Sequence, residues 1–323
     1  MTNNPMNTRT LLLIAGALAL VIAAGLFLLT PSPDTATDSK TQVTVSFYPM
    51  AYLAERIGGE YVTVTNLTPA GSEPHSFEPS ARDLAKIQDA DLLILNGTVE
   101  AWGDRVIAQL AGSGVAVLIA ADGLMTKEGM DAHAEEEGHG EVHEEEHASA
   151  DPHIWLDPVL YAEQAARVSE ALVLADPANA AAYEANYAAL AADLAALDTE
   201  FKTGLSVCKG NSIVTTHTAF SYLAERYGLK QVAINGLSSE AEPTPSALAE
   251  VATFARSNGV THIFFETLVS PKLAQTVASE IGAQTLVLDP LEGLSREDSA
   301  SGKDYLSVMR ENLANLRTAL SCE

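Results

Sequence analysis

From Thr41 onward the chain alternates short β-branched runs with stretches of helical period. "VTVSF" leads into "YLAERIGG", "VTVTNLTP" into "SARDLAKIQDA", and "DLLILNG" into "AWGDRVIAQLAG", after which comes "VAVLIA". Strand, helix, strand in that order predicts βαβ units and a mainly parallel sheet. Asp157 before Pro158 and Asp176 before Pro177 are each a helix cap followed by a first-turn proline. The helix expected after Pro177 meets no breaker until Gly204, so it spans about 40 Å and is long enough to join two lobes. The alternation then restarts with "NSIVTT", "AFSYLAERYGL", "QVAING", "TPSALAEVATFARSNG", "THIFFE", "PKLAQTVASEIG" and "QTLVLDP", and closes on a helix from about Lys303.

The restart is close to a copy. Val43–Arg56, "VTVSFYPMAYLAER", aligns without a gap on Ile213–Arg226, "IVTTHTAFSYLAER", which sets Phe47 opposite His217. "SEP" at 72–74 parallels "AEP" at 241–243 in the same way. The expected architecture is therefore α/β: two similar lobes with mainly parallel sheets, joined by one long spine helix, with a cleft between them. Its divisions are an export segment and tether over 1–40, an N-terminal lobe over 41–175, the spine over 176–204 and a C-terminal lobe over 205–323. A length of 323 residues lets each lobe bury a core of its own.

Charge and composition narrow the range of partners. The chain carries 18 basic against 43 acidic residues, a formal charge of −25, which repels phosphate backbones and excludes nucleic acid as an expected partner. Leu11–Leu29 is an unbroken apolar run preceded by Arg9, an export segment that is either cleaved or kept as a membrane anchor. With Arg9 inside, the remainder lies outside the cytoplasm. No cysteine follows the run to carry a lipid. Only Cys208 and Cys322 are present, and in an exported protein such a pair is expected to form one disulfide that fastens the C-terminus.

Ligands of parallel sheets bind beyond the carboxyl ends of the strands, and that rule sorts the polar residues. His217 follows "SIVTT", Asp289 follows "QTLVL", His75 lies in the loop after "VTVTN", and His153 sits in "DPHIWLDP" before a capped helix. Three imidazoles and a carboxylate make a complete tetrahedral shell for a divalent metal. Three nitrogen donors favour Zn2+ over Mn2+. Four protein ligands leave no place for an activated water, so the shell suits capture rather than catalysis. Each residue also has a plainer reading: Asp289 before Pro290 suits a turn, and Glu266, at the end of "THIFFE", suits a group supporting a ligand or lining the cleft.

"TPAGSEPHSFEPS", "DPHIWLDP", "THTAFSYLAERYGL", "EAEPTP" and "LVLDPL" together resemble, in order, the signatures of the metal-specific solute-binding proteins of bacterial ABC transporters, the zinc and manganese receptors. The resemblance runs from Thr41 to Cys322. It implies two α/β lobes on a single long helix, a metal in the cleft, and His75, His153, His217 and Asp289 as its ligands. It also implies delivery of the ion to an ABC permease. Manganese receptors of that group tend to carry glutamate where this chain has His217, and some zinc-type members use an acidic neighbour or water in place of the aspartate. Zinc-type members often insert an acidic, histidine-rich loop, here 128–150, where His133, His139, His143 and His147 are expected to collect metal weakly.

Within that loop "HEEEH" at 143–147 matches the letters of a zinc-peptidase motif. Glycines, repelling glutamates and the lack of apolar residues deny it the stable helix the motif needs. The expected function is thus an extracytoplasmic zinc receptor without enzymatic activity. The alternatives are a manganese receptor, a zinc hydrolase using "HEEEH", and a surface adhesin.

Overall fold

β1 (Thr41–Val45) enters the core at once, and the chain turns through α1 (Tyr48–Gly58) to β2 (Val62–Asn66). Two more units follow: α2 (Ala81–Gln88) with β3 (Leu92–Leu95), then α3 (Gly103–Gln109) with β4 (Ala116–Ile119). The computed structural model describes residues 40–125, 150–237 and 243–323. Leu11–Leu29 and the four histidines of the acidic loop lie outside the described residues, as does most of the second "AEP". Among the described residues no helix is long and apolar enough to cross a membrane.

All pairings in the first sheet are parallel, in the order β2-β1-β3-β4, with Val43 facing Val64 on one side and Leu92 on the other. After α4 (Pro158–Ala175) and α5 (Ala180–Gly204) the second half contributes β5 (Ser212–Thr215), α6 (Ser221–Arg226), β6 (Lys230–Ala233), α7 (Pro245–Ser257), β7 (His262–Phe265), α8 (Lys272–Ile281) and β8 (Gln284–Val287). Its order, β6-β5-β7-β8, repeats that of the first sheet, as the aligned "YLAER" segments foretell. α9 (Arg296–Ser301) and α10 (Tyr305–Leu320) close the chain.

The linking helix begins at Ala180, because Pro177–Asn179 form a separate 3-10 turn tied down by Asp176, which accepts from Asn179 and Tyr183. Its 25 residues make it about 37 Å long. The repeated arginines brace this region in parallel ways. Arg56 reaches Asp193 on α5 at 2.7 Å, and Arg226 reaches Asp157, the cap of α4, also at 2.7 Å.

The interior departs from the expectation of one core per lobe. A single buried cluster holds Phe47, Leu53 and Trp155 from the first half, Leu190 and Phe201 from α5, and Leu223, Leu291 and Leu316 from the second. Smaller clusters, around Val214 and Ile263 and around Leu95 and Trp102, cover the outer helices. Thr41–Glu323 accordingly forms one compact unit. Cys208 and Cys322 are joined in a disulfide that pins the end of α10 beside the segment leaving α5, as the pairing of the only two cysteines predicts.

Candidate metal centre

In a sheet of order β6-β5-β7-β8 the crossovers part to opposite sides between β5 and β7, which opens a crevice at their carboxyl ends. His217 lies just past β5 and Glu266 just past β7, and His217 Nδ1 meets Glu266 Oε1 at 2.7 Å. Thr216 donates its hydroxyl to the same Glu266 oxygen. The corresponding positions of the first half hold Phe47 and Asn96. Phe47 packs edge-on against Trp155, and Asn96 donates to Pro152 O at 3.2 Å, supporting the loop that carries His153.

The three predicted imidazoles come together around one atom. Nε2 of His75 and Nε2 of His153 each stand 3.2 Å from Glu292 Oε1, and Nε2 of His217 stands 3.3 Å from it. A zinc tetrahedron with bonds of about 2.0–2.1 Å has edges of about 3.3–3.4 Å, close to the three separations that meet at the Glu292 oxygen. The donors of His75, His153 and Glu292 all lie within 4.8 Å of one another. His217 Nε2 is buried and has no hydrogen-bond partner among the described residues, a polar atom facing the place where a cation would complete it. Neighbouring histidine rings sit 5.3 Å apart, His75 to His153 and His153 to His217.

Each buried imidazole has a carboxylate behind it. His153 Nδ1 pairs with Asp151 Oδ1 at 2.8 Å and His217 Nδ1 with Glu266, which fixes Nε2 as the free donor and makes it more basic. Glu266→Gln, which keeps the shape and removes the charge, is expected to weaken zinc binding about 10- to 100-fold in a chelator competition. An affinity unchanged by that substitution would show that Glu266 does not support His217.

Burial alone would lower both of these imidazoles. Contacts with Asp151 and Glu292 lift His153 above its ordinary value instead, and the charges of Glu266 and Glu292 lift His217 well above it. Burial would likewise raise Glu292, but the charge of His217 and hydrogen bonds from His153 and His75 hold it well below the usual carboxylate range. Glu73 accepts from the backbone N–H of His75, and burial together with the charge of Glu292 pushes it up to about 7. His75 is the member open to solvent, with 16% of its side chain exposed against 0–1% for the other three.

Asp289 stands apart from this constellation. Its carboxylate accepts from Thr267 Oγ1 and from the N–H of Leu291, both at 2.7 Å, and burial pushes it up to about 6. Leu291 has a left-handed backbone, φ 56°, so the chain turns sharply after Pro290 and presents Glu292 to the imidazoles. The carboxylate shared by the three histidines is therefore Glu292, and Asp289 builds the turn that delivers it. Glu292 in "LDPLEG" lies beyond the acid nearest the strand end, Asp289. Asp151, two residues before His153, and Glu73, two before His75, carry no periodic signal in the sequence.

Comparisons with known proteins give the family of the chain. Residues 43–319 match the family model described as ZnuA, zinc-uptake complex component A periplasmic. The high-affinity zinc uptake system protein ZnuA of Bacillus subtilis is 41% identical over 96% of this chain and 97% of its own. The zinc-binding lipoprotein AdcA of Streptococcus pneumoniae is 38% identical over 93% of this chain, which spans 60% of that longer relative. Among solved structures, the Zn(II)-bound ZnuA-like domain of S. pneumoniae AdcA superposes with a TM-score of 0.73 at 36% identity, over 87% of this chain and 99% of that one. The laminin-binding protein Lmb of Streptococcus agalactiae, described as bifunctional in adhesion and metal transport, reaches 0.75 at 34% identity, over 87% and 100%. With both halves, the crevice and all three imidazoles inside the matched region, this chain belongs to the ZnuA family of zinc-uptake components.

Proposed function

We propose that the protein is an extracytoplasmic receptor that holds one Zn2+ between His75, His153, His217 and Glu292 and passes it to the permease of an ABC importer. The observation that carries this reading is the convergence of three imidazole nitrogens at 3.2–3.3 Å on one carboxylate oxygen. Three nitrogens with one oxygen favour zinc over manganese, which takes a larger share of oxygen. A shell closed by four side chains leaves no position for a reactive water, so the ion is cargo and nothing is done to it chemically. The family is one of uptake components, which speaks against a hydrolase built on "HEEEH". The export segment Leu11–Leu29, cleaved or retained as an anchor, would place the receptor beside its permease, and the loop histidines His133, His139, His143 and His147 would gather zinc without forming the tight site.

Competitive titration with a chromogenic chelator tests the assignment. One tightly held zinc per chain, displaced poorly by manganese, is the expected result. Preferential binding of manganese would install the manganese-receptor alternative, and tight binding that survives His217→Ala would move the site elsewhere. The bifunctional Lmb keeps a second reading in view, a surface adhesin. Its mark would be partner binding indifferent to substitutions at His75, His153 and His217.

Acid should release the ion. Zinc binds neutral imidazole, and in the empty protein His153 and His217 hold protons more strongly than an ordinary histidine of value 6.5. Apparent affinity is therefore expected to rise with pH beyond 6.5, and to fall steeply below it. For the empty protein the raised histidines contribute stability that is complete below 6.5 and lost as pH rises through their folded values. Glu292, being depressed, contributes stability above its ordinary 4.5 that is lost as pH falls through its folded value. Thermal melts of the empty protein should thus weaken above neutrality while zinc-loaded melts do not. Parallel curves for the two forms would contradict the coupling.

A further inference from the structure

Glu292 Oε1 is shared by the three imidazoles, and the backbone before it sets the direction in which it meets them. On one side are the imidazoles; on the other it lines a cavity of about 450 Å³ that extends past Gly293 to Tyr52 and Asp304. Its direction is set by the turn at Leu291, whose left-handed backbone a leucine does not choose unaided. The turn needs an anchor.

α10 supplies one. Asn312 is buried and grips both sides of the Asp289 peptide: Asp289 N donates to Asn312 Oδ1 at 2.8 Å, and Asn312 Nδ2 donates to Asp289 O at 2.7 Å. The amide thus takes the place of a neighbouring strand just past the end of β8. With its backbone fixed, Asp289 turns its own carboxylate back to the N–H of Leu291, and Thr267 holds the second oxygen.

We propose that Asn312 is a positioning residue for metal binding, aiming Glu292 at the three imidazoles by clamping Asp289. The proposal rests on the zinc-site reading above and adds to it a residue that touches no metal. Asn315 is a built-in control. It lies on the same helix and donates to Val287 O at 2.9 Å, a bond that supports the end of β8 without reaching the turn.

The test uses the full chain loaded with Co2+, whose visible bands are strong in a tetrahedral shell and weaken when water adds to the coordination. Asn312→Ala should weaken the cobalt bands and lower zinc affinity about 10- to 100-fold, the usual cost of losing a group that orients a ligand. Asn315→Ala should leave both near wild type even where it lowers the melting temperature. If Asn312→Ala does not fold, Asn312→Ser, which can still pair with one of the two backbone groups, provides the same reading. Wild-type bands and affinity in the folded Asn312 variant, or equal changes in the Asn315 control, would overturn the proposal. A wild-type spectrum that ignores His217→Ala would instead overturn the zinc site itself, so the two failures are distinct.

Discussion

Replacing Glu292 with glutamine is expected to weaken zinc binding at least about 100-fold, while Asp289→Asn changes it less than about tenfold. Loss of a group that merely orients a ligand costs about 10- to 100-fold, and loss of the ligand's own charge must cost more. A factor of 100 is about 2.7 kcal/mol. Glutamine retains the volume of Glu292 but offers a neutral oxygen that zinc binds poorly, and it removes the anion facing the three imidazole nitrogens. Asparagine at 289 can still accept from Leu291 and pair with Thr267, the two contacts that shape the turn. Competition with a chelator at fixed pH compares the two directly. A collapse of affinity in Asp289→Asn with a near-normal Glu292→Gln would reinstate Asp289 as the ligand.

Opening the Cys208–Cys322 bridge should cost roughly 4 to 5 kcal/mol in the chain-entropy model, because it ties residues 114 apart in sequence. For a chain of this size that is a fall in melting temperature of roughly 10 °C. The bridge secures the last turn of α10, where Leu316 and Leu320 enter the central core. Calorimetry of the oxidised chain against Cys208→Ser with Cys322→Ser measures the loss. A shift of less than about 2 °C would mean that packing of Leu316 and Leu320 alone seats the helix.

The strand-end rule finds a site residue that closely follows its strand. His217 comes two residues after β5 ends, and the internal repeat marks it further by setting it against the apolar Phe47. His75 lies in the loop after β2, and His153 lies just before the capped helix α4. Glu292 fails the rule because a left-handed Leu291 stands between it and β8, and no composition or period announces that a leucine will take that conformation. Of the supporting acids, Glu266 is legible at the end of its strand. Asp151 and Glu73 meet the histidines two residues after them, contacts that no period or composition announces.

For the fold, β-branched alternation and the duplicated "YLAER" segments disclose both sheets and their equal strand order. What they leave hidden is the joining of the lobes. Phe47, Phe201 and Leu316 are ordinary core residues of three separate elements, and only the assembled chain shows them in one cluster.

That common interior gives cargo a say in the lifetime of its carrier. Since one core crosses from half to half, neither half can open far without disturbing the other, and an ion bound at the seam opposes every such opening. At a free zinc concentration of about 1,000 times the dissociation constant, the loaded chain gains about 4.1 kcal/mol over the empty one. Proteases outside the cytoplasm act on the opened form, so they would clear idle receptors in preference to laden ones, and the standing population would track the supply of zinc.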